Sequence, residues 1–315
     1  MVELSRWPVA AASEPSVHRF IEIIQWFDST AELAEQSRGR AAMTDAGANA
    51  LTKISEAWLS EEYVQVNGSQ VRSAMESLTL VGDLVVTGGR FADIGCGTGE
   101  VARKMARRGL SVFACDASTS MVEATRRRCV GLAVQVEQQD ANALRLPDGT
   151  FTIVHSSWVL HWVVRAADAV RSMARAVRPG GALVLQWSHS QPLAEGPGLV
   201  GVIRDVAARP IWRDRLAEAP FTQQQHPLAE VAEVVAGEGM EIVRLDTALW
   251  RPAAAPAGAL NLAAVRRQVR LTGFAPQAAV LGDDVDRFIE ECVAAVAATH
   301  QVDPRDSGLI ARQPG

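Results

Sequence analysis

The sequence FADIGCGTGE, residues 91–100, decides the fold class of this chain. Its first four residues predict a short buried strand, and a helix-forming stretch begins at Glu100. Between them lie Gly95, Gly97 and Gly99, which allow a tight turn and let a ligand approach the backbone closely. The first N–H groups of the following helix have no partner within that helix, so they are available to a ligand. The stretch therefore predicts a strand, a ligand-binding loop and a helix in succession.

Short apolar runs and amphipathic helices continue to alternate from this loop to residue 187. The predicted strands are residues 91–94, 111–115, 133–136, 151–155 and 182–187, and the predicted helices are residues 100–108, 118–128 and 166–177. Repeated strand–helix units form a parallel sheet with helices on both faces. The predicted fold class is therefore α/β, a doubly wound, Rossmann-like fold.

The segments on either side of this core are predicted to be additions to it. Residues 1–85 form an N-terminal helical extension and cap, and residues 86–187 form the ligand-binding core. Residues 188–237 form an insertion and a helix at the acceptor site, and residues 238–315 contain the remaining core strands with inserted lid helices. In these segments we expect helices at residues 228–235, 263–270 and 285–297 and a strand at residues 241–250. The last 15 residues are polar and predict only a short, weak edge strand.

The composition excludes several classes of protein. With 48% hydrophobic and 21% charged residues among 315, the chain has a globular composition and not that of a disordered, fibrous or disulfide-scaffold protein. No apolar run approaches the roughly 20 residues that span a bilayer, and residues 1–11 lack the apolar stretch of a signal peptide. We therefore expect a cytoplasmic protein with no membrane partner.

Charge and residue spacing also disfavour nucleic-acid and metal binding. The formal net charge is −5, and the arginine clusters at residues 126–128 and 266–270 are short, so we expect no nucleic-acid partner. The four cysteines and six histidines show none of the spacings typical of zinc ligands, so we expect no bound metal. The expected partner is a small molecule.

Three aspartates occur in or just after successive predicted strands. Asp93 lies in the first strand, Asp116 ends the second, and Asp140 follows the third. Ligands of open α/β sheets bind at the carboxyl ends of the strands, so these carboxylates are expected to share one site. Asp93 suits an ammonium group, and Asp116 can accept both hydroxyls of a ribose. Asp140 can accept from an exocyclic amine while the Ala141 N–H donates to the ring.

Each of these aspartates also has a structural alternative. Asp93 can bond the amides of the glycine loop, Asp116 can cap the next helix, and Asp140 can stabilise a surface turn. The loop itself reads G-x-G-x-G, whereas dinucleotide-binding loops read G-x-G-x-x-G. The three groups expected to contact the aspartates are an ammonium, a ribose and a ring with an exocyclic amine. A ligand that combines an amino acid, a ribose and an adenine in this way is S-adenosylmethionine (SAM). A Rossmann-like oxidoreductase with coincidental acids is the alternative.

Four sequence blocks resemble the class I SAM-dependent methyltransferases. The blocks are DIGCGTG at residues 93–99, CDASTSM at 115–121, Asp140-Ala141 with LPDGTF at 146–151, and RPGG at 178–181. They occur in the family's order and spacing over about residues 55–250. The resemblance implies an enzyme, a SAM-dependent methyltransferase, with SAM as its cofactor.

Two further segments resemble a subgroup of this family. SSWVLHW at residues 156–162 is similar to the segment after the fourth strand in trans-aconitate, malonyl-carrier-protein and juvenile hormone acid methyltransferases. Trp58, Tyr63 and residues 69–72 are similar to the helix that precedes the glycine loop in those enzymes. By this resemblance Tyr63 and Arg72 are expected near the methionine moiety, with plain packing as the alternative for Tyr63.

The matching segments assign the cofactor-binding residues by position. We expect contacts with SAM from Tyr63, Arg72, Asp93, Gly95, Gly97, Gly99, Asp116, Ala117, Met121, Asp140, Ala141 and Ser156.

The acceptor site is expected beyond the fourth and fifth strands. The predicted substrate-binding residues are Trp158, His161, Trp162, Trp187 and His189. His161 is also the candidate catalytic residue, either as a general base for a hydroxyl or amine or as a hydrogen-bond donor that orients a carboxylate. Packing is the alternative for Trp162. Further candidates for an apolar wall are Trp212 and Trp250.

Methyl transfer from a sulfonium requires alignment of the acceptor and exclusion of water more than acid–base chemistry. We therefore expect a SAM-dependent methyltransferase that acts on a small molecule in biosynthesis, and the resemblance favours methylation of a carboxylate oxygen. The alternatives are a C-methylating, N-methylating or hydroxyl O-methylating natural-product enzyme. An alternative of a different class is a SAM-fold binding protein without methyl transfer.

The first predicted helix has an unusually wide apolar surface. Phe20, Ile24 and Phe27 lie on one stripe, and Ile23 and Trp26 lie beside it. Such a surface can cover the site of its own subunit or lie across a neighbouring subunit. A homodimer through this helix is therefore expected, with a lid within a monomer as the alternative.

Overall fold

One mixed β-sheet organises the computed structural model of the chain, which describes residues 60–64, 67–188, 198–217, 219, 224, 226–246, 277, 280–299 and 306–315. The strands are β1 (Arg90–Ile94), β2 (Ser111–Asp116), β3 (Val134–Gln138), β4 (Phe151–Ser157), β5 (Val177–Ser188), β6 (Glu241–Asp246) and β7 (Asp306–Arg312). Their order in the sheet is β3-β2-β1-β4-β5-β7-β6. β1 to β5 pair in parallel, so their carboxyl ends lie at one edge.

The helices alternate with the parallel strands as the sequence predicts. They are α1 (Ser60–Tyr63), α2 (Gly68–Thr79), α3 (Glu100–Arg107), α4 (Thr119–Arg128), α5 (Ala166–Ala176), α6 (Gly198–Ala207), α7 (Pro210–Leu216), α8 (Leu228–Gly237) and α9 (Val285–Thr299). The predicted α/β fold class is therefore confirmed. The expected helices at residues 228–235 and 285–297 are present as α8 and α9.

Apolar clusters lie on both faces of the sheet. On one face Val170 of α5 and Val235 of α8 pack with residues of β4, β5 and β7. On the other face Leu78 of α2 and Met105 of α3 pack with residues of β1, β2 and β4. Because both faces are covered, the central strands β1 and β4 are buried along almost their whole length, as expected for a doubly wound fold.

The C-terminal residues form an interior strand, so the prediction of a short, weak edge strand was wrong. β7 is antiparallel to both β5 and β6 and lies between them. Leu309 and Ala311 pack into the cluster of one face, whereas Ile310 packs into the other. A strand buried on both faces needs only such a short consecutive apolar run, and the polar residues around it conceal the signal.

The strand order also bears on the oxidoreductase alternative. Dinucleotide-binding folds have the order 3-2-1-4-5-6 in a mostly parallel sheet. Here an antiparallel strand is inserted between the fifth and sixth strands. The topology therefore departs from that of the dinucleotide-binding alternative.

A third apolar cluster joins α6, α7 and α9. Trp212 is part of this cluster. Its ring meets the Phe288 ring edge-on with the centroids 5.4 Å apart, and its Nε1 donates to Glu291 at 2.9 Å.

The predicted strand at residues 241–250 is described only as far as Asp246. The predicted helices before residue 60 and at residues 263–270 lie outside the described residues, as do His189 and Trp250. No helix in the described ranges is both long enough and apolar enough to cross a membrane.

Candidate functional site

The glycine loop, residues 95–99, turns between β1 and α3 at the carboxyl edge of the sheet. Gly95 and Gly99 have φ values of +72° and +83°, a left-handed conformation that favours glycine. A Cβ atom at Gly95 would lie 2.1 Å from a methyl carbon of Val159, and one at Gly99 would lie 2.8 Å from the Thr125 side chain. Both positions therefore need glycine for conformation and for space.

Asp116, at the end of β2, shapes the glycine loop from the neighbouring strand. Its Oδ2 accepts the Gly97 N–H at 3.0 Å, and its Oδ1 accepts the Ser118 N–H at 2.9 Å. Burial raises the pKa of Asp116, and these N–H groups oppose that shift. The residue that caps α4 is Ser118, whose Oγ accepts the Met121 N–H. Carboxylate oxygens accept more than one hydrogen bond, so Asp116 retains acceptor capacity toward a ligand.

Asp140 begins the turn after β3 and is exposed. Its Oδ1 accepts from the backbone and side-chain N–H groups of Asn142 at 2.8 and 2.9 Å. Asn142 Oδ1 in turn accepts the Val164 and Arg165 N–H groups at 2.9 and 3.1 Å. Asp140 therefore has the turn-stabilising contacts that were its structural alternative, and this turn is joined to the segment after β4.

Most of the predicted site residues surround one cavity of about 290 Å³, here called the large cavity. The predicted residues that line it are Tyr63, Gly95, Gly97, Asp116, Ala117, Met121, Asp140, Ala141, Trp158 and Trp162. A small cavity of about 50 Å³ shares Tyr63, Gly95, Gly97 and Trp158 with it and adds Asp93. The structure thus brings the three predicted aspartates to two adjoining cavities.

Tyr63 lies over the glycine loop. Its ring carbon Cε1 is 3.5 Å from the position that a Cβ of Gly97 would take, and its hydroxyl donates to Gln70 Oε1 at 2.7 Å. Burial, together with the negative charges of Asp116 and Glu100, raises the pKa of the phenol. Tyr63 is therefore a neutral side chain in the walls of both cavities.

The charge of the lining suits a cationic nucleoside. Asp93, Glu100, Asp116 and Asp140 line the two cavities, and no lysine or arginine of the described residues does so. Such a lining attracts a sulfonium and an ammonium group and repels a pyrophosphate. In the part of the chain described, no group of three or more His, Cys, Asp or Glu side chains is placed to hold a metal ion.

Residues 92–185 match the methyltransferase domain family. The matched range contains the glycine loop together with Asp116 and Asp140. The chain contains a class I SAM-dependent methyltransferase domain. The cofactor of this domain is SAM, and the acidic, pyrophosphate-repelling lining of its cavities fits that ligand.

The curated proteins that the chain matches include methyltransferases of several kinds. The chain is 39% identical to ubiquinone/menaquinone biosynthesis C-methyltransferase UbiE of Pseudomonas savastanoi pv. phaseolicola over 113 residues, 33% of this chain and 44% of that protein. It is 29% identical to trans-aconitate 2-methyltransferase of Methylobacterium nodulans over 164 residues, 51% of this chain and 60% of that protein. The chain therefore spans about half the length of the curated relatives it matches.

A solved structure extends the likeness of fold beyond the domain. Loganic acid methyltransferase with S-adenosylhomocysteine superposes with a TM-score of 0.61 at 14% identity, covering 80% of this chain and 96% of that one. At this identity the likeness shows the fold.

Two of the predicted acceptor residues, Trp158 and Trp162, line the large cavity of the methyltransferase domain. Trp158 has a φ of +65°, which is uncommon for a residue other than glycine. Its Nε1 donates to Ser73 Oγ of α2 at 3.3 Å. Ser73 Oγ also donates to Gln186 Oε1 of β5 at 3.0 Å. Trp158 is therefore held by contacts to elements far away in the sequence.

His161 is buried behind this wall and is not among the residues that line either cavity. The ring centroids of Trp158 and Trp162 lie 6.3 and 5.2 Å from that of His161. Burial, with a smaller contribution from His226, lowers the pKa of His161 to about 3. The imidazole is therefore neutral at pH 7, with a pKa far below the range suited to a general base.

Gly99 and four other predicted residues also line neither cavity. Trp187 is 1% exposed in the core, and its Nε1 donates to a backbone carbonyl at 2.9 Å. Ser156 is 1% exposed, and its Oγ donates to a carbonyl of β1 at 3.1 Å. Arg72 is exposed on α2 and lines neither cavity. Trp212 belongs to the third apolar cluster, between α6, α7 and α9, and lines neither cavity.

Several lining residues were not predicted from the sequence. They are Gln138, Gln139, Asn142, Ser157, Val159 and Val163 in the large cavity and Asn67, Gln70, Glu100 and His155 in the small one, among others. His155 had a usable signal, because it is an ionisable residue in a strand that is buried along almost its whole length. The glutamines and Asn67 had none, since polar residues are common at strand ends and in turns.

Proposed function

We propose that this chain transfers the methyl group of SAM to a carboxylate oxygen of a small molecule. The observation that supports the choice of acceptor is the position and charge state of His161. This histidine is buried, lies outside both cavity linings and has a pKa lowered to about 3. A carboxylate can attack a methyl group without first losing a proton. A site in which His161 does not act as a base therefore suffices for a carboxylate acceptor.

The placement of the three aspartates supports a set of proposed cofactor contacts. In this proposal Asp116 accepts the ribose hydroxyls, since its carboxylate lines the large cavity beside the glycine loop. Asp140 and the Ala141 N–H contact the adenine from the turn after β3. Asp93 lies in the small cavity and accepts from the ammonium group. Tyr63 packs over the methionine moiety from above the glycine loop.

The acceptor is proposed to lie against the apolar wall after β4. Trp158 and Trp162 face the large cavity together with Val159 and Val163, so they can exclude water from the reacting atoms. SAM, when bound, supplies an activated methyl carbon whose bond to sulfur breaks with the electron pair remaining on sulfur. The role of the protein side chains is therefore to bind, align and dehydrate, not to move a proton.

A second candidate, methylation at carbon, is favoured by one comparison. Over 113 residues the chain is 39% identical to a C-methyltransferase of ubiquinone/menaquinone biosynthesis. That reaction removes a proton from the acceptor, so it needs a base that the described cavity wall after β4 does not supply. This difference makes the two candidates separable by experiment.

A screen of small-molecule carboxylic acids and phenols with isotopically methyl-labelled SAM tests the proposal. Carboxylate methylation gives a labelled ester that mild alkali cleaves with loss of the labelled methyl group. A product that keeps the label after alkali indicates transfer to carbon, nitrogen or a hydroxyl oxygen and contradicts the carboxylate proposal. SAM binding without formation of S-adenosylhomocysteine for any acceptor indicates a binding protein instead.

A further inference from the structure

Asp93 and His155 form a buried pair in the wall of the small cavity. They lie side by side in the parallel register of β1 and β4, so their side chains project from the same face of the sheet. His155 Nδ1 lies 2.9 Å from Asp93 Oδ1, and each residue is 2% exposed. Because a carboxylate only accepts hydrogen bonds, the Nδ1–H of His155 donates to it.

The His155 ring is held in place by its neighbours. It stacks on Phe91 with the ring centroids 5.8 Å apart and the planes 25° apart, and Phe91 is fully buried on the same face of β1. The hydrogen bond to Oδ1 and this stacking together restrict rotation of both side chains. The orientation of the Asp93 carboxylate is therefore set by His155.

The other carboxylate oxygen, Asp93 Oδ2, is buried and has no hydrogen-bond partner among the described residues. A buried acceptor without a donor is energetically unfavourable, and it is worse when the acceptor is charged. The neighbouring acid Glu100 differs, since it accepts from Thr98 at 2.6 Å and pairs with Arg128 at 3.1 Å. Asp93 Oδ2 is thus the carboxylate oxygen of the small cavity that has no donor within the described chain, and His155 Nε2 is a second buried atom there without a hydrogen-bond partner.

The small cavity adjoins the large one through the glycine loop, and its volume of about 50 Å³ accommodates a small group rather than a ring. Its lining contains Asp93 and Glu100 and no described lysine or arginine. A compact cationic donor is therefore the chemical group that fits. In a ligand whose nucleoside occupies the large cavity, this group is the ammonium of the amino-acid end.

We propose that His155 is a positioning residue for cofactor binding. It engages Asp93 Oδ1 through Nδ1 and so presents Oδ2 to the ammonium group of SAM. The inference rests on the proposed function because it takes SAM as the ligand of both cavities. It adds a residue on β4 that lines the small cavity and acts on the charged amino-acid end of the ligand through Asp93.

The test uses calorimetric binding of three ligands to the full chain and its variants. S-adenosylhomocysteine carries the ammonium group, its deaminated analogue has hydrogen in place of that group, and methylthioadenosine lacks the whole amino-acid end. His155→Asn places an amide N–H₂ at the position of Nδ1, so it keeps the donor to Asp93. His155→Gln places the same amide at the position of Nε2, so it removes that donor while remaining polar.

We expect His155→Gln to reduce the preference for S-adenosylhomocysteine over the deaminated analogue by roughly 10-fold or more, the usual effect of a misplaced charged hydrogen bond. His155→Asn should retain the preference of the original chain within about threefold, and methylthioadenosine should bind all forms equally. Equal weakening of S-adenosylhomocysteine and its analogue in His155→Gln overturns the proposal, because it indicates general disruption. An unchanged preference also overturns it and indicates that Asp93 Oδ2 bonds only an internal water.

If His155→Gln does not bind methylthioadenosine, its fold is disturbed and Asp93→Asn takes its place. That variant puts an amide nitrogen or an uncharged oxygen where Oδ2 lies, so it should abolish the preference while His155→Asn retains it. A preference that survives Asp93→Asn overturns the inference. The proposed function has separate readouts, since it fails if the original chain binds none of the three ligands or binds SAM without transferring its methyl group.

Discussion

The Gly97 N–H donates to Asp116 Oδ2 at 3.0 Å, so a residue at the end of β2 holds the glycine loop that follows β1. The same carboxylate also bonds the Ser118 N–H at 2.9 Å and faces the large cavity. Asp116 therefore combines two tasks, the shape of the loop and an acceptor surface for the ligand.

Replacing Asp116 should weaken cofactor binding through both tasks. We expect Asp116→Ala to lower the affinity for SAM by about 1 to 3 kcal/mol, the usual range for hydrogen-bonded groups left without partners. Calorimetry measures this loss, and Asp214→Ala, at an exposed acid on α7, is the control that should leave affinity unchanged. Tighter binding of NAD than of SAM by the original chain would contradict the assignment of the cavity.

The variant Gly95→Ala tests how closely the glycine loop packs on the segment after β4. In Gly95→Ala the new Cβ would lie 2.1 Å from Val159 Cγ2, and in Gly131→Ala nothing lies within 4 Å although φ is also positive. Both variants bear the conformational penalty, so their difference isolates the steric clash. We expect Gly95→Ala to lose about 1 to 3 kcal/mol more in urea unfolding. Adding Val159→Ala should recover part of this difference, and a lack of recovery would contradict the packing described.

We expect His161 to make the free energy of unfolding depend on pH while the reaction rate does not depend on the protonation of this residue. Its pKa is lowered from 6.5 to about 3 in the folded chain, so between these values the unfolded state binds a proton that the folded state does not. Its contribution therefore destabilises the folded chain as the pH falls below about 6.5. We expect the stability difference between the original chain and His161→Gln to change by about 2 kcal/mol between pH 7 and pH 5.

The same variant separates a packing role for His161 from general-base catalysis. If the histidine only packs, His161→Gln should retain much of the rate, and the pH profile of kcat should show no limb near neutrality that depends on it. A loss of roughly 100-fold with disappearance of a pKa near 6 to 7 would instead establish base catalysis and contradict the burial of this ring.

Because β7 lies inside the sheet, we expect its apolar residues to contribute as much to the free energy of unfolding as those of the central strands. Ile310 is 1% exposed, whereas Val243 on the edge strand β6 is 53% exposed. We expect Ile310→Ala to destabilise the fold by about 2 to 5 kcal/mol and Val243→Ala by less than about 1 kcal/mol in denaturant unfolding. Comparable small losses in both variants would place β7 at an edge.

The N-terminal segment carries a separate prediction, which concerns residues outside the described structure. The apolar stripe of Phe20, Ile24 and Phe27 leads us to expect self-association through this helix. Light scattering of the full chain should show a dimer, and a shortened form that begins at Ala41 should be a monomer. A full chain that is monomeric, or a shortened form that stays dimeric, contradicts the prediction.

The sequence by itself determined the alternating strands and helices, the glycine loop and the class of ligand. These features depend on residues that are close together in the chain, such as the spacing of Gly95, Gly97 and Gly99 or an acid at the end of a strand. The carboxyl ends of parallel strands meet at one edge, so the convergence of Asp93, Asp116 and the turn at Asp140 also followed from the pattern.

Only the tertiary structure decided which polar residues meet. The contact between Asp93 and His155 joins two strands that are 62 residues apart, and nothing local to either strand specifies it. The burial of His161 behind the tryptophans likewise depends on packing, and burial is what lowers its pKa. The position of β7 depends on the two strands that it lies between, β5 and β6. A short apolar run is stable in the sheet only when it pairs with a strand on each side and both of its faces are covered by other residues.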